Sequence, residues 1–211
     1  MSVVIGIKYD KGVVIGADKI TVAGCTKNDT ATKIVRTKYS NHCIGSCGEL
    51  RDGNVILVTD ELMNYKDILD GINVDFNYVV NTIVPNLFNN LRSRNRMKIN
   101  DNIEYSNSEY IYCTSEKIFQ IDYDGAVLEH KKYCVRGVGE ENVMGYINSI
   151  DITEISKSEA IDIVKNAIKK ACKDNLYIND EVDLIVLERR WIDENKKNKN
   201  ARIPTSKKIW H

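Results

Sequence analysis

Two apolar runs joined by a tight turn open the chain: Val3-Val4-Ile5-Gly6-Ile7, then Tyr9-Asp10-Lys11-Gly12, then Val13-Val14-Ile15-Gly16-Ala17. Asp, Lys and Gly between β-branched runs read as a hairpin turn. Neither run alternates apolar with polar residues, so neither presents a face suited to water. The expectation is a β-hairpin covered on both sides.

The remaining pattern supplies the cover. Lys33-Ile34-Val35-Arg36 and His42-Cys43-Ile44-Gly45-Ser46 read as a second strand pair around Tyr39-Ser40-Asn41. Val55, Ile56, Val58, Leu62 and Met63 give a helical stripe from Glu49 to about Tyr65. A stronger stripe from Asp75 to Arg94 carries Phe76, Val79, Val80, Ile83, Val84, Leu87, Phe88 and Leu91, with a kink expected at Pro85. Strands return at Tyr110–Cys113, Lys117–Ile121, Ala126–His130 and Tyr133–Val135, with Asp122–Gly125 as the clearest turn. Gly137-Val138-Gly139-Glu140 precedes a helix to about Ile150. Ser156 and Glu159 have capping-box spacing ahead of a helix bearing Ile161, Val164, Ile168 and Cys172. Glu181–Leu187 reads as a last strand. Strands, two helices, strands, two helices and a strand make an α+β chain with helices outside a pair of stacked sheets.

At 211 residues and 43% apolar, the chain suits one domain with a sizeable core. Thirty basic residues balance thirty acidic ones, so nothing overall draws the chain to nucleic acid or an anionic membrane. No apolar run approaches the roughly 20 residues that span a bilayer. The apolar start lacks the flanks of a signal peptide, and the expected location is the cytoplasm. Residues 189–211 hold eight basic residues against two acids, so this segment carries +6 and the expected domain, residues 1–188, carries −6. It reads as a solvated basic tail, without the aromatic interleaving expected of a nucleic-acid arm. The six cysteines are scattered without CxxC spacing. His42, Cys43 and Cys47 match no common zinc pattern, and buried strand thiols are expected. A cysteine nucleophile paired with His42 or His130 has no local signature.

Chemistry concentrates at the start. Met1 precedes the small residue Ser2, and removal of such a methionine leaves Ser2 first. An N-terminal serine holds a hydroxyl and an α-amine on one residue. That amine has an ordinary pKa of about 7.7–8.0 and can serve as general base. Ser2 leads the first strand, Asp18 ends the second, Lys33 begins the next, and Gly45-Ser46-Cys47-Gly48 leads into a helix carrying Asp52.

In Ser2–Ile7, Gly12–Asp18, Lys33-Ile34 and Ile44–Asp52, the chain resembles proteasome β subunits and the related bacterial peptidase that works with an AAA+ unfoldase. The likeness spans residues 2 to about 188, and its motifs are specific over the first 52. It implies the four-layer αββα sandwich of N-terminal nucleophile hydrolases and a threonine/serine-type peptidase without metal or organic cofactor. It places Ser2 as nucleophile, where the family usually has threonine. Lys33 matches the lysine that lowers the nucleophile's pKa, and Asp18 the carboxylate that holds this lysine. Gly48 matches the oxyanion-hole donor, and Asp174 a second aspartate near the nucleophile. Thr21, Ala31, Val35, Ser46 and Leu50 fall at substrate-binding positions, along a strand edge and in a small apolar pocket. A peptide or unfolded protein as substrate, a homo-oligomeric ring and an AAA+ unfoldase are the implied partners. Val138 and Tyr177 stand where the family usually has serines. That departure keeps a non-catalytic subunit open as an alternative, beside an amidase or acyl-transfer enzyme acting on a small substrate.

Overall fold

The computed structural model describes residues 2–189, apart from 24–25, 38–40, 60–61 and 176. The expected tail therefore lies outside the described residues beyond Arg189, as does Cys25. In chain order the strands and helices are β1 (Val3–Tyr9), β2 (Gly12–Asp18), β3 (Thr21–Ala23), β4 (Thr26–Asn28), β5 (Ile34–Arg36), β6 (Cys43–Gly48), α1 (Leu50–Leu57) and α2 (Tyr65–Asp70). Then comes α3, built of Phe76–Tyr78, a π turn Val79–Ile83 and Val84–Arg92. It is followed by β7 (Lys98–Asn100), β8 (Ile103–Tyr105), β9 (Ser108–Cys113), β10 (Ile118–Ile121), β11 (Val127–His130), β12 (Tyr133–Gly137), α4 (Glu140–Asn148), α5 (Lys157–Asp174) and β13 (Val182–Glu188).

Two antiparallel sheets carry the fold, one ordered β12-β1-β2-β13 and the other β11-β10-β9-β6-β5. The opening hairpin is central in the first sheet, and its unbroken apolar runs have a simple cause. Val3, Ile5 and Ile7 point to one side, where they pack with Val143, Ile147, Val164 and Ile168 of α4 and α5. Val4, Val13, Ile15 and Ala17 point to the other, into a layer shared with Ile34, Cys43, Ile111 and Ile118 of the second sheet. The outer face of the second sheet, with Ile44, Tyr110, Tyr112 and Phe119, is covered by Val55 and Ile56 of α1 and Ile83, Leu87 and Leu91 of α3. The result is an αββα sandwich. Each Ile or Val buried in these layers contributes about 1.5–3 kcal/mol.

Several elements depart from expectation. The helix expected from Glu49 to Tyr65 ends at Leu57, and α2 follows separately. Val58 and Thr59 are β-branched, and Val58 and Thr59 amides turn back to the Val55 and Ile56 carbonyls in tight i→i−3 bonds. Thr59 Oγ1 also donates to the Val55 carbonyl at 2.8 Å, competing with the helical ladder. At Pro85, where a kink is expected, α3 continues. The turn before the proline widens to π hydrogen bonding and the chain stays helical on both sides. Two hairpins, β3–β4 and β7–β8, were not expected. The second turns on Asp101 and Asn102, both left-handed at φ 48° and 64°, a pair suited to a type I′ turn. The capping box at Ser156 and Glu159 is present as its spacing suggests.

Candidate active site

Asp18 organises the start of the chain. Its carboxylate is fully buried at the end of β2. Oδ1 accepts from the Val3 amide at 2.9 Å. Oδ2 accepts from Lys33 Nζ at 2.8 Å and from the Ile20 amide at 3.2 Å. Lys33, just ahead of β5, keeps only 7% of its side chain exposed. Burial pulls its ammonium pKa below the ordinary value, and Asp18 opposes that pull. The Lys33 carbonyl accepts from the Ser46 amide at 2.9 Å, which ties the loop before β5 to β6.

Ser2 sits just before β1 and is buried. Its carbonyl accepts from the Val138 amide at 2.8 Å. Gly137, at φ 108°, makes this approach possible, because a Cβ there would stand 1.9 Å from the Ser2 carbonyl oxygen.

Gly48 ends β6 at φ 137°, and a Cβ there would meet the Asn107 carbonyl oxygen at 2.4 Å and Ser108 Cα at 2.6 Å. A polar network holds this contact. Ser108 Oγ accepts from the Glu49 amide at 3.0 Å and donates to the fully buried Asp52 carboxylate at 3.0 Å. Asp52 also accepts from the Asn107 amide at 3.2 Å and from Arg96 Nε at 3.0 Å. Arg96 in turn pairs with Glu49. Three separate stretches of chain, 48–52, Arg96 and 107–108, thus fix the turn that presents Gly48.

Two cavities meet at these residues. The smaller, about 180 Å³, is lined by Ser2, Lys33, Gly48, Thr21, Ser46 and Leu50, together with Val22, Thr32, Glu49 and Gly53. Of the expected substrate-binding positions, Thr21, Ser46 and Leu50 are on this wall. Val35 packs instead against the core beneath α1 and α3, and Ala31 is not on this wall; its amide donates to the Lys19 carbonyl at 2.9 Å. The larger cavity, about 690 Å³, shares Ser2, Gly48 and Glu49 and extends over Cys47, the 105–109 segment, Tyr123, Gly137, Val138 and Glu140. The sequence reading missed Val22, Thr32, Arg96, Ser108 and this second cavity. Asp174 is the last residue of α5, and its side chain is outside what is described. The loop after it is anchored to the Asp18 turn, where the Lys19 amide donates to Asn179 Oδ1 at 2.9 Å. Tyr177 is partly exposed, and its amide donates to Asn175 Oδ1 at 2.9 Å.

The sulfur and imidazole groups lie elsewhere in chemical character. Cys43, Cys47, Cys113 and Cys134 are buried free thiols, and burial pushes Cys134 up to about 12 and Cys47 higher still. A thiol held protonated is no nucleophile. His42 lies 2.8 Å from the Tyr112 hydroxyl, and burial lowers its pKa to about 4, so it is neutral at pH 7. His130 Nε2 bonds Gln120 Oε1 at 2.9 Å. Among the described residues no three metal-ligating side chains converge, and no helix is long and apolar enough to cross a membrane.

The family model described as Proteasome subunit matches residues 2–187. Proteasome subunit beta 2 of Hyperthermus butylicus is 26% identical over 83 residues. That match spans 39% of this chain and 39% of that relative's length. The crystal structure of eukaryotic HslV from Trypanosoma brucei superposes with a TM-score of 0.64 at 18% identity, covering 89% of this chain and 99% of that one. At that identity the superposition speaks for the fold, while the family match runs from Ser2 through β13, so the chain belongs to the proteasome subunit family.

Proposed function

We propose that this subunit is a catalytic peptidase that cuts peptide bonds with Ser2 after loss of Met1. The supporting observation is one cavity lined by Ser2, Lys33 and Gly48, with a single buried carboxylate, Asp18, binding both Lys33 and the amide next to Ser2. In this reading the α-amine of Ser2 takes the Oγ proton as Oγ bonds to the scissile carbonyl carbon. The Gly48 N–H donates to the oxyanion. Collapse breaks the C–N bond, the leaving amine takes the proton from the α-ammonium, and an ester remains on Ser2. Water, deprotonated by the same amine, releases the acid product and restores the hydroxyl. Lys33 keeps a positive charge beside these steps and favours the deprotonated nucleophile. The cavity beside Ser2 takes one substrate side chain against Thr21, Ser46 and Leu50; roles for Ala31 and Val35 at the pocket and for Asp174 near the nucleophile rest on the family likeness alone. No metal or organic cofactor enters this chemistry.

The same reading makes the working particle a cytoplasmic homo-oligomeric ring that receives unfolded protein from an AAA+ unfoldase. A second reading, a non-catalytic subunit, is favoured by Val138 and Tyr177, which place no serine hydroxyl at either position. Peptide turnover separates the two. In the full chain with Met1 removed, Ser2→Ala and Lys33→Met should each cut the rate by about 10²–10⁴-fold. Unchanged turnover in Ser2→Ala contradicts the mechanism. A well-folded, assembled protein with no turnover supports the second reading. Preference for small amides over peptides points to amidase or acyl-transfer chemistry on the same site.

A further inference from the structure

The 690 Å³ cavity carries an inference about substrate that rests on the peptidase reading. It meets the smaller cavity only at Ser2, Gly48 and Glu49. A chain whose carbonyl lies between Ser2 and Gly48, with the side chain on one flank of the bond in the smaller cavity, has its other flank over the larger one.

The wall of the larger cavity has a definite chemistry. Among the described residues, Glu49, Glu109 and Glu140 are its charged members, and no lysine, arginine or histidine lines it. Two of these carboxylates are already paired, Glu49 with Arg96 and Glu140 with Arg136 at 2.6 Å. Among the described residues Glu109 has no such ion pair. It sits opposite Cys47 in the β6–β9 register, beside the turn that ends in Gly48. Burial is the main reason its carboxyl pKa is raised; Asp122 and Glu140 add to this, and Arg136 opposes it. Arg136 is itself shared between Glu140 and, at 3.9 Å, Asp122. Tyr105 and Tyr123 complete the wall, edge to face with ring centres 6.3 Å apart. Aromatic rings accept the alkyl stem and the cationic head of a long basic side chain.

We propose that this cavity is a subsite for a lysine or arginine side chain of the substrate, on the leaving side of the cut bond, with Glu109 as the residue that selects it. The stem lies along Tyr105 and Tyr123 and the cation meets the Glu109 carboxylate.

The test uses peptides identical except for lysine, norleucine or glutamate just after the cut bond. Turnover is measured on the full chain with Met1 removed, and equilibrium binding of the same peptides is measured by NMR on Ser2→Ala. Lysine should be preferred over norleucine by about tenfold in both assays, the worth of one hydrogen bond to a charged group. Glu109→Gln should bring the two close to parity by lowering lysine binding and cleavage. Equal lysine and norleucine, or a preference that survives Glu109→Gln, overturns the subsite. A lysine preference in binding without any turnover keeps the subsite and overturns the peptidase reading. Turnover without a lysine preference does the reverse.

Discussion

The backbone amide of Val3 donates to Asp18 Oδ1 at 2.9 Å across the first hairpin. The residue after the proposed nucleophile is thereby fixed by the carboxylate that also receives Lys33 on its other oxygen, at 2.8 Å. The position of Ser2 and the charge beside it depend on one buried side chain.

Asp18→Asn should show this in stability. It leaves Lys33 buried without a counter-charge, and breaking a buried pair from one side costs about 3–5 kcal/mol. Urea denaturation should record a loss of that order. The double variant Asp18→Asn/Lys33→Met should recover part of it, since no isolated charge then remains. A double variant no more stable than the single one contradicts this account of the pair.

Gly48→Ala should damage fold and chemistry together. A Cβ there stands 2.4 Å from the Asn107 carbonyl oxygen, and the backbone is at φ 137°. Strained backbone of this kind costs about 1–3 kcal/mol. Displacing a single oxyanion donor lowers turnover by about 10²–10³-fold. Thermal unfolding and peptide turnover measured on the same sample check both figures.

Arg96→Met should act at a distance. Asp52, fully buried, loses its 3.0 Å partner, and the expected destabilisation is about 3 kcal/mol. Because Asp52 also holds Ser108, and Ser108 the Glu49 amide, the turn presenting Gly48 loosens. Peptide kinetics should show kcat falling more than KM rises. Arg96→Met with native stability and kcat removes this network from the account.

Much of this was readable in the residues, and what was not has a common cause. The hairpin was visible because its apolar runs have no polar face, and the four layers followed from the order of elements. Ser2, Asp18, Lys33 and Gly48 were picked out by the family resemblance, and the fold brings Ser2, Lys33 and Gly48 to one cavity with Asp18 bonded to Lys33. The Asp52 network was not visible, because its partners Arg96 and Ser108 lie 44 and 56 residues away. Only packing brings them together. Val35 was placed on the pocket wall by the resemblance, whereas β5 turns it partly toward the core under α1. The β7–β8 hairpin was overlooked because Lys98-Ile99-Asn100 carries little apolar signal, although Asp101-Asn102 between two such segments is a usable turn signal.

His42 predicts a pH dependence. Its folded pKa of about 4 lies below the ordinary 6.5 because burial disfavours the charged ring. The unfolded chain therefore binds this proton first. This contribution to stability is fully present above about pH 6.5 and is lost as pH falls towards 4, by up to about 3 kcal/mol. Denaturation midpoints for the native chain and His42→Gln should differ in slope across that window and run parallel above it. Parallel slopes throughout contradict the assignment.

Intact mass of the native protein, before and after exposure to a peptide epoxyketone, tests the central claim most directly. The warhead closes its ring only on a hydroxyl and a free amine carried by one residue. The account predicts a starting mass without Met1 and one adduct per chain, absent in Ser2→Ala. Met1 retained on the native protein, or an adduct that persists in Ser2→Ala, contradicts it.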